Sequence, residues 1–138
     1  MAAALADPHM DRVKFVSLDV RTEDEDVEHA TVVLEHPDGS RFSGDFSGSV
    51  RHQVIASAAV EALRQAISAD GDKLDLLGVR AVRAFSSNVV VVALAVKEEE
   101  GVRRLVGSCL TEHGVDRAVA LAVLNATNRY LGRSGYLG

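Results

Sequence analysis

At 138 residues, of which 47% are hydrophobic, the chain has the size of one domain and can bury a core without disulfides or a structural metal. Its lone cysteine, Cys109, excludes an internal disulfide and a multi-cysteine zinc site and points to a reducing compartment. A net charge of -5 is the wrong sign for a domain that grips phosphate backbones by general electrostatics, so no nucleic-acid partner is expected.

Residues 1–8 are Ala-rich, residues 1–10 lack both the basic start and the apolar stretch of a signal peptide, and residues 1–12 are expected to form a flexible N-terminus. The first strand is predicted near residues 14–20, where Val16, Leu18 and Val20 alternate with Ser17 and Asp19. The acidic run 23–26 breaks that pattern. A second strand follows with Ala30, Val32 and Leu34 on one face, and Pro37-Asp38-Gly39 supplies a hairpin turn. Phe42, Gly44 and Phe46 make a short third strand whose central glycine lets another element approach closely.

From residue 49 to about 68, Val54, Ile55, Ala58, Ala59, Ala62, Leu63, Ala66 and Ile67 recur at helical spacing, with Ser49 available as the N-cap. Residues 69–72 close this helix. The plan then repeats: a strand over 77–85, a turn at Ser86-Ser87-Asn88, and the most apolar strand over 89–96. A turn at Glu98-Glu99-Glu100-Gly101, a strand over 102–110 and an Ala-rich helix over 116–131 ended by Gly132 and Gly135 complete it. The apolar run at 89–96 is too short to span a bilayer, so no membrane partner and a cytoplasmic location are expected.

Aligned on one another, the halves match Gly44 to Gly107 at an offset of 63, and Ala58 to Ala122 and Ala62 to Ala126 at an offset of 64. The predicted fold is therefore α+β: a duplicated βββα unit, with antiparallel sheets each covered by an Ala-rich helix. A single domain over 13–132 is built of repeats 13–70 and 74–132, followed by a tail at 133–138.

Catalytic equipment is not evident. The five histidines form no metal-ligand pair at helical spacing, Cys109 falls on an apolar strand position matching Phe46, and the acidic runs lack the spacing of a calcium loop. Neither a catalytic residue, a metal site nor a cofactor is assigned. Ligand contact is expected at the two helix starts, where unpaired N–H groups favour an anion: Gly48, Ser49, Val50 and Arg51 at one, Gly114 and Asp116 at the other. The same glycines also serve as plain turns, and Ser49 as a plain cap.

The stretch Ala120-Leu121-Ala122-Val123-Leu124-Asn125-Ala126-Thr127-Asn128-Arg129 resembles the small-residue helix, closing on an Asn-Arg pair, of the regulatory domain of the 2-isopropylmalate synthase family. Residues 44–63 resemble that domain's first glycine-containing strand and helix. The resemblance implies the βββα duplication and a stand-alone module, without the synthase's active site, that pairs with a second copy and holds a small molecule. Where that family commonly carries a Gly-rich acidic loop, this chain has Ser86-Ser87-Asn88, so no particular effector is implied. The expected function is a non-enzymatic regulatory module, a homodimer with a small-molecule effector. The alternative is a protein-interaction adaptor whose protein partner docks on a sheet edge or the acidic loops.

Overall fold

The computed structural model describes residues 12–67 and 73–134. The expected helix-closing residues Ala69, Asp70 and Gly71, the terminus before Arg12, and Gly135 lie outside them. The element order is β1 (Lys14–Asp24), β2 (Val27–Glu35), β3 (Arg41–Gly48), α1 (Arg51–Ala66), β4 (Leu74–Ala84), β5 (Ser87–Glu98), β6 (Gly101–Leu110) and α2 (Val115–Ser134). Two antiparallel sheets result, ordered β1-β2-β3 and β4-β5-β6, each followed by its helix, so the duplicated α+β architecture is as expected.

Alternation decides which face of each sheet turns inward. Ala30, Val32 and Leu34 of β2 and Val90, Val92 and Leu94 of β5 are fully buried against the helices. On α1, Val54, Ile55, Ala56, Ala58, Ala59, Val60, Ala62 and Leu63 are all buried, which is more than one stripe. A helix buried on several sides is an interior helix. It packs on β3 and β2 of its own unit, on β4 of the other unit and on α2, while α2 packs on β6, β5 and β1.

The close approach rests on two glycines. A Cβ built on Gly44 would collide with the carbonyl oxygen of Ala58 and the amide nitrogen of Ala62, and one on Gly107 would collide with the same atoms of Ala122 and Ala126. These are the residues matched by the repeat, so strand and helix meet backbone to backbone at the same place in both units.

The units also hold each other reciprocally. Asn128 of α2 accepts from the Val13 amide at 2.9 Å and donates to the Val13 carbonyl at 3.1 Å. Arg64 of α1, which is 64 residues earlier, donates to the carbonyl of Leu74, 61 residues after Val13, at 2.9 Å. Each helix thus anchors the first strand of the opposite unit, in an approximate twofold relation.

Several element boundaries differ from expectation for local reasons. β4 starts at Leu74 rather than 77, because a bulge at Leu77 lets Leu74 and Leu76 join the inner face in the opposite phase to Val79. An equivalent bulge at Val16 puts Phe15, with Leu18 and Val20, on the inner face of β1, where simple alternation had placed Val16. The β4–β5 turn is Phe85-Ser86, not Ser86-Ser87-Asn88, and both its residues have positive φ, 53° and 63°. β1 extends into the acidic run as far as Asp24, and α2 continues through Gly132. The Pro37-Asp38-Gly39 turn forms as expected, with Gly39 at φ 94° and the Asp38 carboxylate accepting from the Ser40 amide at 2.8 Å.

Candidate functional site

Among the expected ligand residues, the structure brings Arg51, Gly114 and Asp116 together. Arg51 opens α1 and Asp116 lies in the first turn of α2, and the twofold relation faces them across the molecule. The guanidinium meets the carboxylate in a fork: Nε is 3.1 Å from both carboxylate oxygens and a terminal nitrogen is 2.6 Å from Oδ2, with Glu28 joining at 3.3 Å. Asp116 first, then Glu28, pushes the Arg51 pKa still further above its ordinary value. The cation expected to await an anion is therefore already paired.

These residues border a groove of about 770 Å³ between β1 and the start of α2, lined by Phe15, Leu18, Val20, Arg51, His113 and Arg117. Arg117 stacks over the Phe15 ring at 5.0 Å, a cation–π contact that closes one wall. Gly48, Ser49 and Val50 are not part of it. They line a separate groove of about 290 Å³ with Phe46, Gln53 and Leu76, between α1 and β4, the counterpart of the first under the twofold relation. Ser49 does not cap α1: the N-cap is Val50, in extended conformation, with no side-chain cap hydrogen bond among the described residues. The chain stays extended one residue beyond Ser49, so its hydroxyl precedes the free N–H groups.

Arg51 and Asp116 are partly exposed, at 43% and 35%, so their pairing is expected to contribute no more than about 1 kcal/mol. A double-mutant cycle of Arg51→Ala and Asp116→Ala by urea denaturation should give a coupling of that size; a value near zero would show that the fork does not link the units.

The outward faces of the two sheets are unlike, and sequence reasoning missed this. On the first sheet the facing rows are Arg21, His29, Ser47; then Asp19, Thr31, Asp45; then Ser17, Val33, Ser43. The equivalent rows of the second sheet are Val82, Val89, Leu110; then Arg80, Val91, Ser108; then Gly78, Ala93, Val106. Val106 and Leu110 are 67% and 49% exposed, Val102 continues the same face, and Phe85 at the hairpin tip is fully exposed. The signal was present: β5 is apolar at odd and even positions alike, whereas β2 carries polar residues at 29, 31 and 35.

No protein-family model matches this chain, and no curated protein is significantly similar to it.

The polar rows of the first sheet form a network. His29 Nδ1 is 2.6 Å from Ser47 Oγ and Nε2 is 3.1 Å from Asp45 Oδ1; Thr31 donates to the same Asp45 oxygen at 2.6 Å and Ser47 to Glu23 at 3.1 Å. The order Ser–His–Asp has the connectivity of a nucleophile relay, but it lies on the outward face of a three-stranded sheet. Thr31 first, then His29, holds the Asp45 carboxyl below its ordinary value of 3.8. A carboxyl whose folded pKa is lowered stabilises the fold above its unfolded value, and that stability is lost as pH falls through the folded one. Replacing Thr31 by Val should therefore reduce the loss of stability below about pH 4 in an acid titration followed by circular dichroism, leaving neutral-pH behaviour of this carboxyl ionised; an unchanged acid limb would contradict the assignment.

Among the described residues no group of three or more His, Cys, Asp or Glu could hold a metal ion, and no helix is long and apolar enough to cross a membrane. Cys109 is half-buried, and that burial chiefly raises its thiol pKa, which favours the protonated over the nucleophilic form.

Proposed function

We propose that this protein is a non-enzymatic regulatory module that acts as a homodimer, joined through the outward face of the sheet β4-β5-β6, and that takes a small metabolite in the groove between β1 and α2. The observation that carries the reading is the contrast between the repeats. The first unit folds with polar outward rows, so the backbone does not require apolar ones, and the second unit's Val82, Val89, Val91, Val106 and Leu110 serve something outside the folded monomer.

A second copy is the occupant that the surface suits. Strands of 10–12 residues and a width of three strands give a face of roughly 500 Å², or about 1,000 Å² over two copies, the lower limit of a specific interface. Flat faces of this kind stack on one another at about 10 Å, as in a β-sandwich. The resemblance of the Ala120–Arg129 helix stretch to a regulatory domain supports the same reading, and the groove with Phe15, Leu18 and Val20 beside His113, Arg117 and the Arg51–Asp116 pair is the proposed seat of the metabolite.

A dimer that folds with association has a melting temperature that rises with protein concentration. Melting curves at concentrations spanning two decades should shift upward together with concentration, and a metabolite screen should then raise the midpoint further. A concentration-independent midpoint with a monomer mass, plus co-purification with another protein, would favour the adaptor instead.

A further inference from the structure

The rows of the second sheet carry more than apolarity: they are complementary to themselves when reversed. Two copies stacked face to face about a twofold axis lying between them and parallel to the strands place β4 of one over β6 of the other, and β5 over β5. Each row then meets its own mirror order. Val82 lies over the partner's Leu110 and Val89 over the partner's Val89. Arg80, a guanidinium donor with no ion pair among the described residues, comes over the partner's Ser108. Gly78, where an added Cβ would meet nothing within 4 Å, lies under the partner's Val106, the most exposed apolar side chain of these rows at 67%.

The other twofold, with its axis across the strands, reverses the row order instead. With that axis through the Gly78 row, where the sheets overlap most fully, it sets Val82, Val89 and Leu110 against the row of Lys97 and Val102, laying the most apolar end on an ammonium group, and it puts Gly78 over Gly78 and leaves Val106 against Val106. Of these two placements, the first joins apolar end to apolar end and fills the space above Gly78, and among charged residues it sets only Lys97, at the far end, over its own counterpart. Sheets packed this way are aligned within about 30°, so the central rows stay in register while the corners diverge.

Resting on the dimer proposed above, we infer that the partner is a second copy of this chain stacked with its axis along the strands, Val106 of each subunit seating on Gly78 of the other. The β4–β5 tip fits this placement. Phe85 is held fully exposed with φ 53°, and Ser86 with φ 63°, a conformation unfavourable for residues that carry a side chain. In the inferred dimer both tips lie at one end, where each Phe85 extends the apolar contact beyond the row of Val82 and Leu110.

A size-swap experiment tests the arrangement by sedimentation equilibrium of the full chain. Gly78→Val adds a side chain into open space in the monomer, so the fold is retained, but it overfills the seat of the partner's Val106 twice by symmetry; dimer affinity should fall roughly tenfold or more. Val106→Ala alone should weaken it less. Gly78→Val combined with Val106→Ala should return the affinity to within about threefold of wild type. A double variant no tighter than Gly78→Val, or a Gly78→Val dimer of wild-type affinity, would overturn the arrangement. Val91→Asp separates the two readings: it buries a carboxylate inside the interface in either stacking, so if it dissociates the protein while the swap fails, the dimer stands and the arrangement falls. A wild type that is monomeric, or a dimer indifferent to Val91→Asp, overturns both.

Discussion

Gly107→Ala should be among the most damaging single substitutions in this protein, and Gly44→Ala its near equal. The methyl group would enter the helix backbone, not a flexible side chain: at Gly107 it meets the Ala122 carbonyl and Ala126 amide and lies 2.8 Å from the Ala126 Cα, and at Gly44 it lies 3.0 Å from the Ala62 Cα. No rotamer change relieves such a collision. Strand and helix must separate, and the contacts of Val92 and Val119, or of Val32 and Ile55, loosen along the whole seam. The expected loss is about 3 kcal/mol or more, the upper end for an overfilled core, against a total stability of roughly 5–15 kcal/mol. A fall in melting temperature of about 10 °C or more should follow, or failure to fold. Gly78→Ala is the natural control, since a Cβ there meets nothing, and it should be close to neutral in the monomer. Equal, small effects at all three glycines would show that the helices do not sit where the two repeat glycines receive them.

Val91→Asp should convert the dimer to monomer while leaving the secondary structure intact. Val91 is on the central strand of the apolar face, between Arg80 and Ser108, and points away from the core defined by Val90 and Val92. In the monomer an aspartate there is solvated and inexpensive. In the dimer it is desolvated and opposed to another carboxylate, a cost that the neighbouring Arg80 offsets only in part, so affinity should fall about tenfold or more. The equivalent surface of the first unit supplies the control: Ser43→Asp, at the position matching Val106, lies on the polar face and should leave the mass unchanged.

How much of this was legible in the chain depended on how local the physical cause was. Gly44 and Gly107 could be matched because the absence of a side chain is itself the requirement, and the small residues opposite them, Ala58, Ala62, Ala122 and Ala126, answer it at fixed helical spacing. The bulges at Val16 and Leu77 were harder to see. Their trace is a change of phase, with Val13 and Phe15 at odd positions facing inward and then Leu18 and Val20 at even ones, and a short window catches only one phase. The Arg51–Asp116 fork joins residues 65 apart through the twofold relation of the units, which no local pattern encodes. The Ser47–His29–Asp45 network likewise needs the register of the β2–β3 hairpin before the three side chains can be known to share a face. Ser49 was misplaced as a cap for a smaller reason, since composition alone cannot say whether an extended strand ends before or after one more residue.

The contrast between the outward faces is the feature on which the functional account turns, and solution mass tests it most directly. Sedimentation velocity of the wild type and Val91→Asp at the same micromolar concentration should give a species near twice the 14.7 kDa chain for the first and a single chain for the second. Two monomers, or two indistinguishable dimers, would contradict it.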